Sequence, residues 1–375
     1  MKKIVSFIKA EVVLTVAIGL AVISMFFVTP SAAYAGYMNW QVLSLLLCLM
    51  IVMEGLKRLG VFSSIAGLLM RKVKSFSRLV FILVFLCYFS SMFITNDVAL
   101  ITFVPFAVEV LQVAGKEKKM IPVIVLQTIA ANLGSMLMPI GNPQNLYLYE
   151  HAGYTLTQFL GIMFPPCALS FVLLFISCLW ITKGEKMDDM VFPSIQYRTK
   201  KRMVLTGIYV ILFFVSILVV ADVIPFVAAL AITLPVVLIV DRRTFLTVDY
   251  CLLLTFCGFF IFVGNMGNIQ SVATLLEGWM QGREFIVSVL TSQIISNVPA
   301  VLLLSGFTEN YRALLLGVNI GGLGTLIASM ASLISYKAFV RKCPQEKGKY
   351  LLYFTGVNLL YLIIFILGYF LLYGF

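Results

Sequence analysis

Charge and histidine are what this chain has least of. Only 11% of its 375 residues are Asp, Glu, Lys or Arg, and His151 is its single histidine. Ordinary soluble domains carry about 25% charged residues, so a water-soluble globule is excluded. No phosphate-binding Gly-x-x-x-x-Gly-Lys-Ser/Thr pattern occurs, which argues against ATP-driven pumping by this chain. His-Glu-x-x-His and Gly-x-Ser-x-Gly are also missing, so the chain reads as a non-enzyme. The seven cysteines, at 48, 87, 167, 178, 251, 257 and 343, show no zinc spacing and read as a reduced, structural set.

Apolar sequence fills the space. Hydrophobic residues make up 61% of the chain and its mean hydropathy is +1.05. The apolar runs are long and continuous rather than alternating over ten residues, so helices and not strands are expected to span the bilayer. Membrane lipid is therefore an expected partner. The net charge of +11 does not imply nucleic acid, because Lys and Arg sit in short clusters between apolar runs.

Spans are predicted at 11–30, 39–56, 120–138, 156–182, 204–220, 223–240, 248–266, 311–336 and 350–373. The first follows Lys2, Lys3 and Lys9 and precedes Ala33-Tyr34-Ala35. That resembles a signal peptide, but the run from Val12 to Val28 is long for one, and a retained span is expected. Two further apolar segments, 79–113 and 285–307, behave differently. The second has 23 residues, enough for one crossing or a partial hairpin.

Charge decides between those options. If 285–307 enters and leaves on the outer side, all but Arg283 and Arg312 of the 27 Lys and Arg residues lie at the cytoplasmic face. A single crossing would instead put the cluster from Lys337 to Lys349 outside. The hairpin is expected, with the N-terminus cytoplasmic and the C-terminus outside. Segment 79–113 starts and ends inside, and its likeness to 285–307 favours a hairpin there too.

That likeness is a repeated motif. Ser91-Met92-Phe93-Ile94-Thr95-Asn96-Asp97 recurs as Ser292-Gln293-Ile294-Ile295-Ser296-Asn297-Val298. Polar groups and helix breaks at membrane depth are costly unless they line a cavity or bind something. Paired breaks in corresponding halves point to a transporter's binding site. The halves 39–182 and 248–373 read as inverted repeats, with Asn132-Leu133-Gly134-Ser135 set against Gly322-Leu323-Gly324-Thr325.

Thr95, Asn96, Ser296 and Asn297 are the first candidate ligands, because helix N-termini at hairpin tips suit anions and Asn or Ser oxygens suit Na⁺. Asp97 could bind Na⁺ or carry a proton, or simply cap the second hairpin helix. The run Met138-Pro139-Ile140-Gly141-Asn142-Pro143-Gln144-Asn145 breaks the next span, and Gly141, Asn142 and Asn145 join the candidates. Gly321 to Thr325 breaks the matching span and adds Thr325. Gln127, Asn132 and Asn319 are directed toward the same region. Lys337 reads as a snorkelling interface residue, His151 as a surface residue and Lys57-Arg58 as an interface anchor.

Phe93 to Leu100, Asn132 to Asn145 and Ser296-Asn297-Val298-Pro299-Ala300 together resemble the ion transporter superfamily. More narrowly, the chain is similar to the citrate-transporter-like permeases, the group that holds the arsenite permeases and divalent-anion relatives. The resemblance implies a scaffold, a transport domain with two hairpins, an elevator motion and often a homodimer. It also implies cation and substrate sites at Thr95, Asn96, Ser296 and Asn297, with Gly141-Asn142-Pro143 as partner. Sodium–dicarboxylate members tend to carry Ser-Asn-Thr at both tips, whereas this chain has Thr-Asn-Asp and Ser-Asn-Val.

The expected protein is an all-α integral membrane protein: an inverted-repeat secondary transporter with two re-entrant hairpins and two broken helices. Residues 1–78 and 204–264 form the scaffold, 79–182 and 265–375 the transport domain, and 183–203 the cytoplasmic linker. It moves a small anion, a carboxylate or inorganic oxyanion, across the plasma membrane with Na⁺ or H⁺ as coupling ion and no other cofactor. Metal binding is limited to Na⁺ at Asn96, Asp97 and Asn297. The alternatives are a Na⁺/H⁺ antiporter using Asp97 and an arsenite-type efflux permease.

Overall fold

The computed structural model describes residues 11–70, 73–185 and 199–374, and no strand occurs among them. Lys2, Lys3, Lys9 and most of the linker read at 183–203 lie outside the described residues. The helices are α1 (Val12–Met25), α2 (Trp40–Arg58), α3 (Val61–Met70), α4 (Phe76–Ile94), α5 (Asn96–Val113) and α6 (Met120–Ser135). They continue as α7 (Pro143–His151), α8 (Leu156–Thr182), α9 (Lys200–Val220), α10 (Phe226–Asp241) and α11 (Tyr250–Gly267). The chain ends in α12 (Gln270–Met280), α13 (Glu284–Ile295), α14 (Asn297–Leu304), α15 (Tyr311–Ile320), α16 (Met330–Lys342) and α17 (Lys347–Tyr373).

Seven of the described helices are long and apolar enough to cross a membrane. Their outward faces are apolar as well: Ile239 is 83% exposed and Leu371 87%. A water-facing surface would not tolerate so many contiguous aliphatic side chains, whereas lipid would. The protein is an all-α, multi-pass membrane protein. Its seven cysteines are free, four of them buried.

One order of elements occurs twice. A long helix, a short helix, a broken helical pair, a broken span and a long helix run from α2 to α8, and again from α11 to α17. The short helices α3 and α12 are not among the predicted segments. Each is amphipathic, with Ile65 and Leu68, or Leu275 and Trp279, on an exposed apolar face. At 10 and 11 residues they are too short to cross and suit the membrane interface.

The helical pairs fall where 79–113 and 285–307 were expected, but they differ in reach. Arms α4 and α5 have 19 and 18 residues, whereas α13 and α14 have 12 and 8. At about 1.5 Å per residue neither arm of the second pair crosses a hydrocarbon core of about 30 Å.

Packing pairs the same parts in both halves. The first arm α4 lies along α6, and α13 lies along α15. A Cβ on Gly134 would sit 2.8 Å from Ser91 Oγ, and one on Gly321 2.9 Å from Ser292 Oγ. Only glycine permits these approaches, and they set the true register of the repeat. Asn132-Leu133-Gly134 corresponds to Asn319-Ile320-Gly321, three residues earlier than the expected match at Gly322 to Thr325. Around this core, α1 packs on α11, while α9 and α10 pack on α2.

Candidate functional site

Both helical pairs turn on one residue in a rare conformation. Thr95 has φ 66° and ψ 150°, and Ser296 has φ 74° and ψ 156°. Among the described residues the only other non-glycine with positive φ is Asp222. Such backbone costs about 1–3 kcal/mol and persists only where the surroundings impose it. The repeated motif thus marks two sharp breaks of identical geometry.

The other two breaks meet the tips in one buried layer. Asn96 Nδ2 donates to Asn132 Oδ1 at 3.2 Å, and Ser329 Oγ donates to that same oxygen at 3.0 Å. Asn132 Nδ2 donates to Ser332 Oγ at 3.3 Å. The first tip is therefore tied through the end of α6 to the start of α16. At the second tip, the Asn297 N–H donates to the Ala328 carbonyl at 3.0 Å. Asn142 Nδ2 donates to Asn319 Oδ1 at 3.2 Å, and Asn319 Nδ2 to Asn145 Oδ1 at 2.7 Å, which joins the two broken spans directly.

Four helices begin at this layer: α5, α7, α14 and α16. Helix N-termini carry partial positive charge and free N–H groups, which favour an anion. Four helices also end here, and side-chain amides cover the carbonyls at the ends of α6 and α15. Asn145 Nδ2 reaches the carbonyls of Ser135, Met136 and Met138 at 3.1–3.3 Å. In the second half, Gln293 Nε2 donates to the carbonyls of Gly321 at 2.7 Å and Leu323 at 2.9 Å. Gln293 lies inside the repeated motif without having been singled out, and its role is visible only in the folded chain.

A cavity of about 250 Å³ opens against this layer. Thr95, Asp97 and Asn142 form its polar end. The facing wall comes from α2 and the start of α11, and it carries Glu54, Lys57, Thr247 and Asp249. Lys57 Nζ pairs with Glu54 Oε2 at 2.9 Å. Lys57 is therefore more than an interface anchor, although Arg58, bonded to Thr244 at 2.9 Å, does serve to fasten α2. Asp249 caps α11 through the Leu252 N–H at 3.2 Å. Among the described residues no side chain bonds to the Asp97 carboxylate, which faces the cavity.

The candidate residues thus divide. Thr95, Asp97 and Asn142 reach the cavity. Asn96, Ser296 and Asn297 are buried in the layer behind it. Gly141 sits where any Cβ would strike the Ser135 backbone, so it permits the tight break. Asn145 and Thr325 hold backbone in place; Thr325 bonds to Gln293 through its N–H at 2.9 Å and its hydroxyl at 3.1 Å. Gln127 does not face the layer, since its amide donates to the Leu83 carbonyl at 3.1 Å and ties α6 to α4. His151 is exposed and stacks on Tyr147 with ring centroids 5.1 Å apart.

The model of the citrate transporter family matches residues 4–311. The chain belongs to the citrate transporter family. It is a membrane transporter of the citrate and arsenite permease type. It is 28% identical over 352 residues to an uncharacterized transporter of Methanocaldococcus jannaschii, covering 94% of this chain and 95% of that one. An inner membrane protein of Escherichia coli is 28% identical over 340 residues, 87% of this chain and 86% of its own. A shorter match, 24% over 148 residues, joins 39% of this chain to 25% of a Dictyostelium discoideum protein named as an arsB transporter.

Proposed function

We propose that this citrate transporter family member is a secondary active transporter for a small anion, coupled to Na⁺ or H⁺. The observation that carries the reading is the buried layer where two tips of like geometry meet two broken spans, with the starts of α5, α7 and α16 lining one cavity. Fixed N–H dipoles at membrane depth favour a negatively charged ligand.

The acidic groups supply the reason for coupling. An anion entering beside an ionised Asp97 is repelled by it, in surroundings where water screens little. A proton or Na⁺ on Asp97 removes that repulsion, so anion and cation would bind together. Asn96 adjoins Asp97 in sequence and Asn297 holds the matching place on the second tip, and in this reading both contribute to a Na⁺ site.

The cavity lies between α2 with the start of α11 on one side and the first tip with both breaks on the other. That division supports an elevator motion, in which the paired helices and broken spans of 79–182 and 265–375 shift against a fixed scaffold of 1–78 and 204–264. In this reading the halves are inverted repeats, the N-terminus faces the cytoplasm, and a homodimer in the plasma membrane holds the scaffold still.

One observation favours a second reading. Asp97 and Asp249 share the cavity, which would also suit exchange of Na⁺ for H⁺. Uptake into proteoliposomes under an imposed Na⁺ or pH gradient separates the two, with citrate, succinate, sulfate, phosphate and arsenite offered in turn. Gradient-driven accumulation of a solute supports the anion carrier. Na⁺ or H⁺ movement without any solute supports the antiporter.

A further inference from the structure

The cavity's charges narrow the anion further, provided the reading of this cavity as the transport site holds. Its wall carries three carboxylates, Glu54, Asp97 and Asp249, against one ammonium, Lys57. Glu54 and Lys57 already pair at 2.9 Å. A coupling proton or Na⁺ can neutralise Asp97; Asp249 lies exposed at the cavity's edge, and among the described residues no cationic side chain pairs with it. A free trianion such as citrate, or a dianion, would add two or three charges with only one full cation to meet them. Like charges brought together are disfavoured, most of all beside the half-buried Glu54 and Asp97, where water screens less.

Apart from Thr95, Asn142 and Thr247, the rest of the wall is apolar, and Leu46, Leu49, Met50, Ile101, Leu252 and Ile334 belong to it. A substrate with charges at both ends would have to bury one of them there, at high cost. The volume, about 250 Å³, suits a small organic molecule.

We propose that the cavity selects a small monocarboxylate with a branched apolar body, and that Lys57 is its counter-charge. The carboxylate takes the Lys57 ammonium from Glu54 and faces Thr95 and the start of α7 at Asn142. The apolar body lies along α2 and Ile334. The coupling cation sits at Asp97.

The test uses the full chain in proteoliposomes with an imposed pH or Na⁺ gradient. The probe is a branched five-carbon 2-oxo acid, whose strong acidity limits free diffusion, set against succinate and citrate. The account expects saturable, gradient-driven accumulation of the 2-oxo acid, with succinate and citrate neither accumulating nor competing. Lys57→Ala should raise the KM about tenfold, the worth of one charge-assisted contact, and Lys57→Arg should restore it. Asp249→Asn keeps a good helix cap and should admit succinate as a competitor.

Accumulation of citrate or succinate without competition by the 2-oxo acid would overturn this assignment and leave anion transport standing. An unchanged KM in Lys57→Ala would overturn the role of Lys57, making its pair with Glu54 merely structural. If no anion of any class accumulates, the transport reading itself fails and this assignment with it.

Discussion

Thr95 and Ser296 adopt one backbone conformation, φ 66° and ψ 150° against φ 74° and ψ 156°, in two separate halves of the chain. Each ends one helix and opens the next, and each is followed by a buried asparagine. Glycine takes such angles without strain. Thr95→Gly and Ser296→Gly should therefore hold or raise thermal stability in detergent. Ser296→Ile should lower it by about 1–2 kcal/mol through added strain. A stabilising Ser296→Ile would show that the break is not strained.

Asn132 joins the first tip to the second broken span. Removing it leaves buried partners on Asn96, Ser329 and Ser332, at about 1–3 kcal/mol for each group left unpaired. A double-mutant cycle of Asn96→Ala and Asn132→Ala should show coupling of about 0.5–3 kcal/mol. Simple additivity would mean that the amide pair does not hold the tip.

The glycine contacts at Ser91 and Ser292 should be equally intolerant. Gly134→Ala and Gly321→Ala each force a helix pair apart, at a cost of about 1–3 kcal/mol. Matching losses in the two variants would support the register that pairs Asn132-Leu133-Gly134 with Asn319-Ile320-Gly321. A harmless Gly321→Ala would argue against it.

Much of this was legible in the sequence, for identifiable reasons. Apolar runs place the spans because lipid imposes a length, and the repeated motif places both tips because polar groups at depth need a purpose. The breaks at Pro139 to Pro143 and Gly321 to Ser329 follow from Pro and Gly chemistry. The register of the second half did not follow, because Gly322, Gly324 and Thr325 resemble the first motif by composition while packing selects Gly321. The place of Glu54, Lys57 and Asp249 on a cavity wall was not legible, since an interface anchor and a helix cap look the same in sequence whether or not a cavity faces them. The helices α3 and α12 were missed because they are too short for a search that looks for spans.

On the far side of the first pair, Lys116 and Lys119 hold Glu185 at 2.6 and 3.3 Å, just beyond the end of α8. Hydrogen bonds from both ammonium groups, Lys116 first, keep the Glu185 carboxyl below its ordinary value of 4.5. A carboxyl lowered by folding stabilises above its unfolded value and loses that contribution as pH falls through the folded one. Acid should therefore loosen this clamp below about pH 4.5. Glu185→Gln should remove that part of the pH dependence, and salt should weaken it because the pair is near the surface. Identical acid melting curves for the two proteins would contradict the clamp.

Asp97 should govern coupling. With the carboxylate replaced in Asp97→Asn, substrate exchange across the membrane should persist while uphill accumulation driven by a Na⁺ or H⁺ gradient is lost. Unchanged accumulation would place the coupling ion elsewhere.

The central claim is that the cavity at the first tip, backed by the buried layer that holds Asn96 and Asn297, is the transport site. It is tested most directly by gradient-driven solute uptake in proteoliposomes carrying Asn96→Ala or Asn297→Ala, each checked for intact folding by its elution and thermal melting in detergent. The account predicts folded proteins that accumulate nothing. Normal accumulation by both variants would contradict it.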